Sequence, residues 1–170
     1  MTDKPRYLSA QPLLIYVLEN SIKRACNCTL IRQNLISNQV KYPFATFNWI
    51  VLEQKITSDW LDESTPFYST VQVDFHSDNY INAMNLATKF FNDLHKTSLQ
   101  LCFKQAGIVI SELDKIEDRT ALAEANYDYT VGFDCTFLVN NKREYELAKL
   151  RFDYEDTQID TISYEKMEEK

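Results

Sequence analysis

The sequence predicts one α+β domain, in which an antiparallel sheet of about four strands is covered on one face by two main helices. One observation behind this is a strand-like alternation of apolar and polar residues over positions 127–139. Another is a pair of amphipathic segments with helical spacing. The third is the order of elements, helix, strand hairpin, helix, strand and strand, which is typical of an α+β domain.

Residues 127–139 form the clearest strand. Side chains alternate between the two faces of a strand, so the odd-numbered row is predicted to be buried, with polar side chains opposite. The buried row is Tyr127, Tyr129, Val131, Phe133, Cys135, Phe137 and Val139, and the polar row is Asp128, Thr130, Asp134 and Thr136. A slip of one residue would expose the aromatic row, so the register is expected to be firmly fixed. Gly132 is the position where another backbone or side chain could approach closely.

The first half of the chain predicts a helix followed by a hairpin. Apolar residues at helical spacing predict a helix over Ala10–Cys26, with Ser9 as its N-cap and Pro12 in its first turn. A short strand is predicted near 29–31. Segments 44–57 and 67–76 then alternate as two strands of a hairpin. Both faces of the first strand are partly apolar, so it is covered on both sides or faces a partner subunit.

The second half continues with a helix, a short strand and the strand described above. Asp78 is predicted to cap a helix that runs to about Lys96, and further helical turns end near Gly107, which suits a C-terminal cap. Positions 108–110 begin a strand, and 112–124 form a charged connector. After residue 140 the pattern fits helix or strand. We therefore divide a single domain of residues 1–170 into a polar arm (1–9), a core (10–152) and an acidic tail or edge strand (153–170).

Composition excludes several functional classes. With 170 residues and 45% hydrophobic content, the chain can bury one proper core. Its 18 basic and 25 acidic side chains give a net charge of −7, which argues against a nucleic-acid-binding surface. The chain has only two glycines, so it cannot form a glycine-rich phosphate-binding loop. The N-terminus lacks a signal-peptide pattern and no apolar run would span a bilayer, so no membrane partner is expected. The four cysteines are predicted to be free.

No catalytic constellation stands out, and we predict no catalytic, cofactor-binding or metal-binding residue. The alternative of another class is a metal-dependent hydrolase that uses Asp74, His76 and Asp78, which share one strand face if strand geometry continues to Asp78. Such a site needs convergent ligands and a second shell of partners. The ordinary interpretation is a solvent-facing row in which Asp78 caps the next helix.

Two segments carry a resemblance to a known family. Val71 to Asp78 followed by Ala83 to Leu94 is a strand, a short polar break and an Ala-containing helix. Tyr127 to Asp134 is a late strand in which aromatic residues lead into Gly-Phe-Asp. With the amphipathic N-terminal helix, these features make most of residues 10–140 similar to bacteriophage neck or tail terminator proteins.

The resemblance implies a structural virion protein without a cofactor. Such proteins form rings, usually hexameric, that cap the tail tube and then meet the head-completion or connector proteins. The expected partners are therefore further copies of the chain, the tail tube protein and the head-completion proteins, with DNA passing through the lumen without specific binding. The expected location is the tail or neck of the virion, after assembly in the host cytoplasm. The alternative within this class is a tail-tube or other head–tail connector subunit.

Five residues are candidates for the assembly interface. Phe44 and Trp60 are candidates for exposed aromatic anchors. Trp60 and Leu61 either tuck against the sheet or form a hairpin tip that docks on a neighbour. Asp128 and Asp134 lie on the polar face of the 127–139 strand, which would face the ring lumen or a neighbouring subunit.

Overall fold

A computed structural model describes residues 6–36, 40–58, 65–121, 128–140 and 144–156. A six-stranded sheet carries three helices on one face, and a second, two-stranded sheet lies beside it. The α+β class is therefore confirmed. The predicted numbers of about four strands and two main helices are wrong, because short edge strands and a split in the second helix escape a periodicity analysis.

The helices and strands have the following bounds. The helices are α1 (Ala10–Cys26), α2 (Tyr80–Asp93) and α3 (Thr97–Lys104). The strands are β1 (Tyr7–Leu8), β2 (Leu30–Arg32), β3 (Phe44–Lys55), β4 (Phe67–Ser77), β5 (Ile108–Leu113), β6 (Glu117–Asp118), β7 (Tyr129–Val139) and β8 (Tyr145–Glu146). Short 3-10 turns lie at Gln33–Leu35 and Leu147–Lys149.

The main sheet has the order β2-β3-β4-β7-β5, and β6 pairs with β7 beyond it. β3 and β4 form the predicted hairpin, with two register shifts in β3 between Trp49 and Gln54. β4 pairs with β7 along its whole length, from Phe67 opposite Val139 to Ser77 opposite Tyr129. All of these pairs are antiparallel, whereas β2 joins the start of β3 in parallel.

The core lies between the helices and one face of β4 and β7. The odd-numbered side chains of β7 from Val131 to Val139 are buried there, as predicted, while Tyr129 is half-buried and Tyr127 lies outside the described residues. Phe90 and Phe91 of α2 both pack against Phe133, with ring centroids 6.2 and 5.1 Å away. Each fully buried aromatic side chain of this kind stabilises the fold by about 1.5–3 kcal/mol.

The helix ends show which residues stop each helix. α1 has the predicted bounds, and Ser9 lies at its N-cap position without a side-chain hydrogen bond. Its last turn closes at Asn27, whose left-handed backbone donates from N–H to the Lys23 carbonyl at 3.0 Å. The C-cap of α3 is Gln105 and not Gly107, which follows two residues later with φ +69 and donates its N–H to the Lys104 carbonyl at 3.0 Å.

The prediction for the second helix is wrong in two details. Asn79 caps α2 instead of Asp78, because the Asn79 side chain accepts from the Asn82 N–H at 3.3 Å. The helix ends at Asp93, where the N–H of Lys96 bonds to the Asp93 carbonyl in a tighter turn, and α3 then begins at Thr97.

Beyond residue 140 the sequence pattern fitted either helix or strand, and the chain forms a short strand and a short 3-10 helix. β8 pairs with β1 to form the small sheet, and a 3-10 turn follows it. Residues 151–156 have no regular secondary structure, and the rest of the acidic tail lies outside the described residues. Within the described ranges, no helix has both the length and the apolar character needed for a membrane crossing.

We expect the four cysteines to react poorly with thiol reagents in the native state. Cys28, Cys102 and Cys135 are buried, Cys26 is half-buried, and all four are free. Burial raises the pKa of Cys26 to about 12, and it also raises the pKa of the other three thiols, so few thiolates form at neutral pH. The measurement is labelling by a coloured disulfide reagent, with urea-unfolded protein as the control. Rapid labelling of any native thiol would contradict the expectation.

Candidate functional site

The face of the main sheet that points away from the helices carries the predicted polar row. Its side chains bond to other residues of the same chain. Thr70 of β4 and Thr136 of β7 lie side by side with their hydroxyls 2.9 Å apart. Asp134 and Thr130 belong to the two networks described next. The polar row of β7 is therefore engaged within the protomer.

The first network surrounds Arg119, which follows β6. Its two guanidinium nitrogens donate to Asp74 Oδ1 of β4 and to Asp134 Oδ1 of β7, each at 2.9 Å. The Arg119 N–H also donates to the Thr130 carbonyl at 2.8 Å, which fixes the connector against β7. Burial alone would lower the pKa of Arg119, but the hydrogen bonds and charges of the two carboxylates raise it. Arg119 thus attaches the charged connector to the centre of the sheet.

Gly132 makes room for this network, because it lies opposite Asp74 in the β4–β7 ladder. A Cβ atom at position 132 would lie 2.0 Å from Asp74 Oδ1 and 2.3 Å from the Val73 carbonyl oxygen. The predicted close approach to Gly132 is therefore confirmed, and the approaching side chain is Asp74.

The second network surrounds His76, near the end of β4. His76 Nε2 lies 2.9 Å from Thr46 Oγ1, and Nδ1 lies 2.9 Å from Asp128 Oδ2 and 3.1 Å from Thr130 Oγ1. The Phe44 ring stacks on the imidazole at 4.7 Å, almost parallel to it. Two of the predicted interface residues, Phe44 and Asp128, therefore meet at His76.

A carboxylate hydrogen-bonded to a histidine, which is in turn hydrogen-bonded to a hydroxyl, has the connectivity of a catalytic triad. Here Asp128, His76 and Thr46 have that connectivity, but His76 is 5% exposed and Thr46 is 1% exposed. A substrate could not reach the Thr46 hydroxyl in this conformation. The network instead gives hydrogen-bond partners to Thr46, His76 and Thr130, leaves Asp128 Oδ1 without one, and connects β3, β4 and the start of β7.

The three residues of the hydrolase alternative do not converge. Asp74 bonds to Arg119, His76 bonds to Thr46 and Asp128, and Asp78 is exposed and accepts from the Ser77 hydroxyl at 3.3 Å. Among the described residues, no group of three or more His, Cys, Asp or Glu side chains could hold a metal ion.

The prediction that Phe44 is exposed is wrong. Phe44 is only 3% exposed, and its ring is stacked between Tyr42 and His76. Asp128 and Asp134 are half-buried. Trp60 and Leu61 lie outside the described residues. An interface role for these positions remains a prediction. Sequence reasoning missed Arg119, and the signal available was that it is one of two cations in the charged connector of residues 112–124.

A separate cleft lies where α1, α2, α3 and the C-terminal segment meet. Asp93 of α2 pairs with Lys89 at 2.8 Å and with Lys96 at 2.7 Å. Asp156 accepts from the Ser98 N–H at 2.9 Å in the first turn of α3, where a carboxylate complements the helix dipole. The Asp93 pairs hold the end of α2 and the turn after it, and the Asp156 contact attaches the C-terminal segment to α3.

The Asp93 pairs predict a loss of stability in acid. Burial alone would raise the pKa of Asp93, but hydrogen bonds from Lys89 and Lys96 lower it below the ordinary aspartate value. A lowered folded-state pKa adds stability above the unfolded pKa of about 3.9, and that stability is lost as pH falls through the folded pKa. We expect Asp93→Asn to flatten the dependence of unfolding free energy on pH in this acid range. An unchanged slope between wild type and Asp93→Asn would contradict this expectation.

Comparison with known proteins gives one family. The sequence model described as the phage neck terminator protein matches residues 16–167, which is most of the chain and includes α2, α3, the larger part of α1 and both networks. No curated protein sequence matches the chain. A match over this length shows that the chain belongs to the family of phage neck terminator proteins.

Proposed function

We propose that this protein is a ring-forming subunit that caps the end of the phage tail tube and joins the tail to the head. The family match over residues 16–167 carries the proposal. Membership of that family gives the chain a structural role at the head–tail junction of the virion. The ring, the capped tube and the contact with head-completion proteins are the further steps that we propose.

Charge and chemistry support a structural role. The net charge of −7 favours a ring through which DNA passes without adhering, because like charges repel. The acidic and histidine side chains of the sheet are held by Arg119, Thr46 and Thr130 in networks that connect strands. We infer that the protein acts by assembly and not by catalysis.

The experiment is complementation of a phage that lacks this protein. We expect the lysate to contain separate heads and tails, with tails of irregular length because nothing covers the growing end. Adding the purified protein should restore joined particles, as counted by electron microscopy. Normal tails and joined heads without the protein would overturn the proposal. Long fibres formed by the purified protein alone would indicate a tail-tube subunit instead.

A further inference from the structure

The main sheet ends in two strand edges that have no strand neighbour among the described residues. β2 covers only Ala45–Phe47, so β3 from Asn48 onward has β4 as its one described strand neighbour. At the other end of the sheet, β5 has β7 as its one described strand neighbour. An open edge presents backbone N–H and C=O groups that can pair with another chain.

Both edges also expose apolar side chains. Ile50 and Leu52 of β3 are 50% and 55% exposed, and Val109 of β5 is 51% exposed. The Leu52 carbonyl accepts from Ser69 Oγ of β4 at 2.6 Å and from Gln11 Nε2 at 3.3 Å, so it is engaged within the protomer, and an incoming strand would pair with the neighbouring backbone groups of β3. Proteins usually protect open edges with charges, β-bulges, proline or a covering element. β3 has register shifts between Trp49 and Gln54, and β5 has one between Ile110 and Glu112, so a strand that pairs here must follow these bulges. The exposed apolar side chains favour burial against another surface.

We propose that β5 of one copy pairs with the open part of β3 of the next copy, so that the sheet continues from subunit to subunit around the ring. This inference rests on the proposed function, which requires a ring. A closed ring needs two different surfaces that fit each other, and the two edges of one sheet meet this requirement.

Strand direction supports this pairing. β3 and β7 run in one direction, whereas β4 and β5 run in the other. Rotation about an axis roughly parallel to the strands keeps these directions, so β5 of one copy meets β3 of the next in antiparallel orientation. The incoming strand would then lie end to end with β2 and continue the antiparallel pattern of the sheet.

The test is cross-linking of the double variant Ile50→Cys with Val109→Cys by a flexible bis-maleimide, which tolerates an unknown register. The assembled protein, alone or on tail ends, should give a ladder of covalent dimers, trimers and larger species up to the closed ring. The native cysteines are poorly reactive, and wild type serves as the background. Each single variant should give no ladder.

Three results would overturn the inference. Rings that form normally but give no ladder would reject the β3–β5 contact and leave the proposed function intact. Dimers from Val109→Cys alone would indicate two-fold β5–β5 pairing. A monomer at high concentration and in the presence of tails would reject both this contact and the ring.

An edge-blocking variant gives a second, independent readout. Side chains project from the faces of a sheet, so the Val109 side chain would pack beside side chains of β3 in the neighbouring copy. A lysine there would replace an apolar cross-strand contact with a charge, so Val109→Lys should raise the concentration of half-assembly roughly fivefold. The matched control is Ile81→Lys on α2, where the side chain is 61% exposed and lies away from both edges. Equal effects of the two variants on assembly would also count against the β3–β5 contact.

Discussion

Replacing Gly132 by alanine is expected to lower the free energy of unfolding by about 3–5 kcal/mol. The new Cβ would lie 2.0 Å from Asp74 Oδ1 and 2.3 Å from the Val73 carbonyl oxygen, so both β4 and the Asp74 carboxylate must move. Moving Asp74 also breaks its 2.9 Å bond to Arg119. The cost therefore combines overpacking with the loss of a buried ion pair. Urea denaturation measures it directly.

Thr136→Ala is the matched control for Gly132→Ala. Thr136 lies on the same face of β7, and its replacement by alanine removes the hydroxyl contact with Thr70 and one methyl group without introducing a clash, so we expect a change of about 1 kcal/mol. A Gly132→Ala variant as stable as Thr136→Ala would show that β4 and β7 can separate enough to admit a methyl group. The close approach would then not constrain the fold.

Periodicity predicted the parts of this fold that one segment determines by itself. The alternation in β7 and the helical spacing in α1 each fix a buried face, because burial of one face selects the register. The same reasoning failed where the answer depends on pairing. The two-residue strands β1, β6 and β8 have no pattern of their own and form because a longer strand or the opposite terminus lies beside them.

The polar residues show the same limit. The sequence places Asp74 and His76 on one face of β4, which is correct, but it does not show that Arg119 and Asp128 come to meet them. These partners lie 45 and 52 positions away along the chain, so only the β4–β7 register brings them together. The sequence suggested that the polar side chains on this face of the sheet could bind a metal ion or a neighbouring subunit. For this reason most of them instead form hydrogen bonds within the protomer.

Replacing Arg119 by methionine is expected to cost about 3 kcal/mol of unfolding free energy, which is the second large effect. Methionine keeps the apolar stem but leaves Asp74, whose side chain is 4% exposed, without its cation. The matched control is Lys115→Met, because Lys115 is in the same connector but is 84% exposed and pairs with Glu117 at 3.2 Å. A surface pair of that kind is worth about 0–1 kcal/mol.

A double-mutant cycle separates the ion pair from the packing of Arg119. If Asp74 and Arg119 form one buried unit, Asp74→Asn combined with Arg119→Met should cost less than the sum of the single changes, with a coupling of roughly 1–3 kcal/mol. Urea denaturation of the four proteins in low and high salt measures it, and a buried pair should change little with salt. If Arg119→Met instead matches Lys115→Met and the coupling is absent, Arg119 does not hold the connector against the sheet. Asp134 would then be available to a neighbouring subunit, which is the role that its place on the polar face of β7 first indicated.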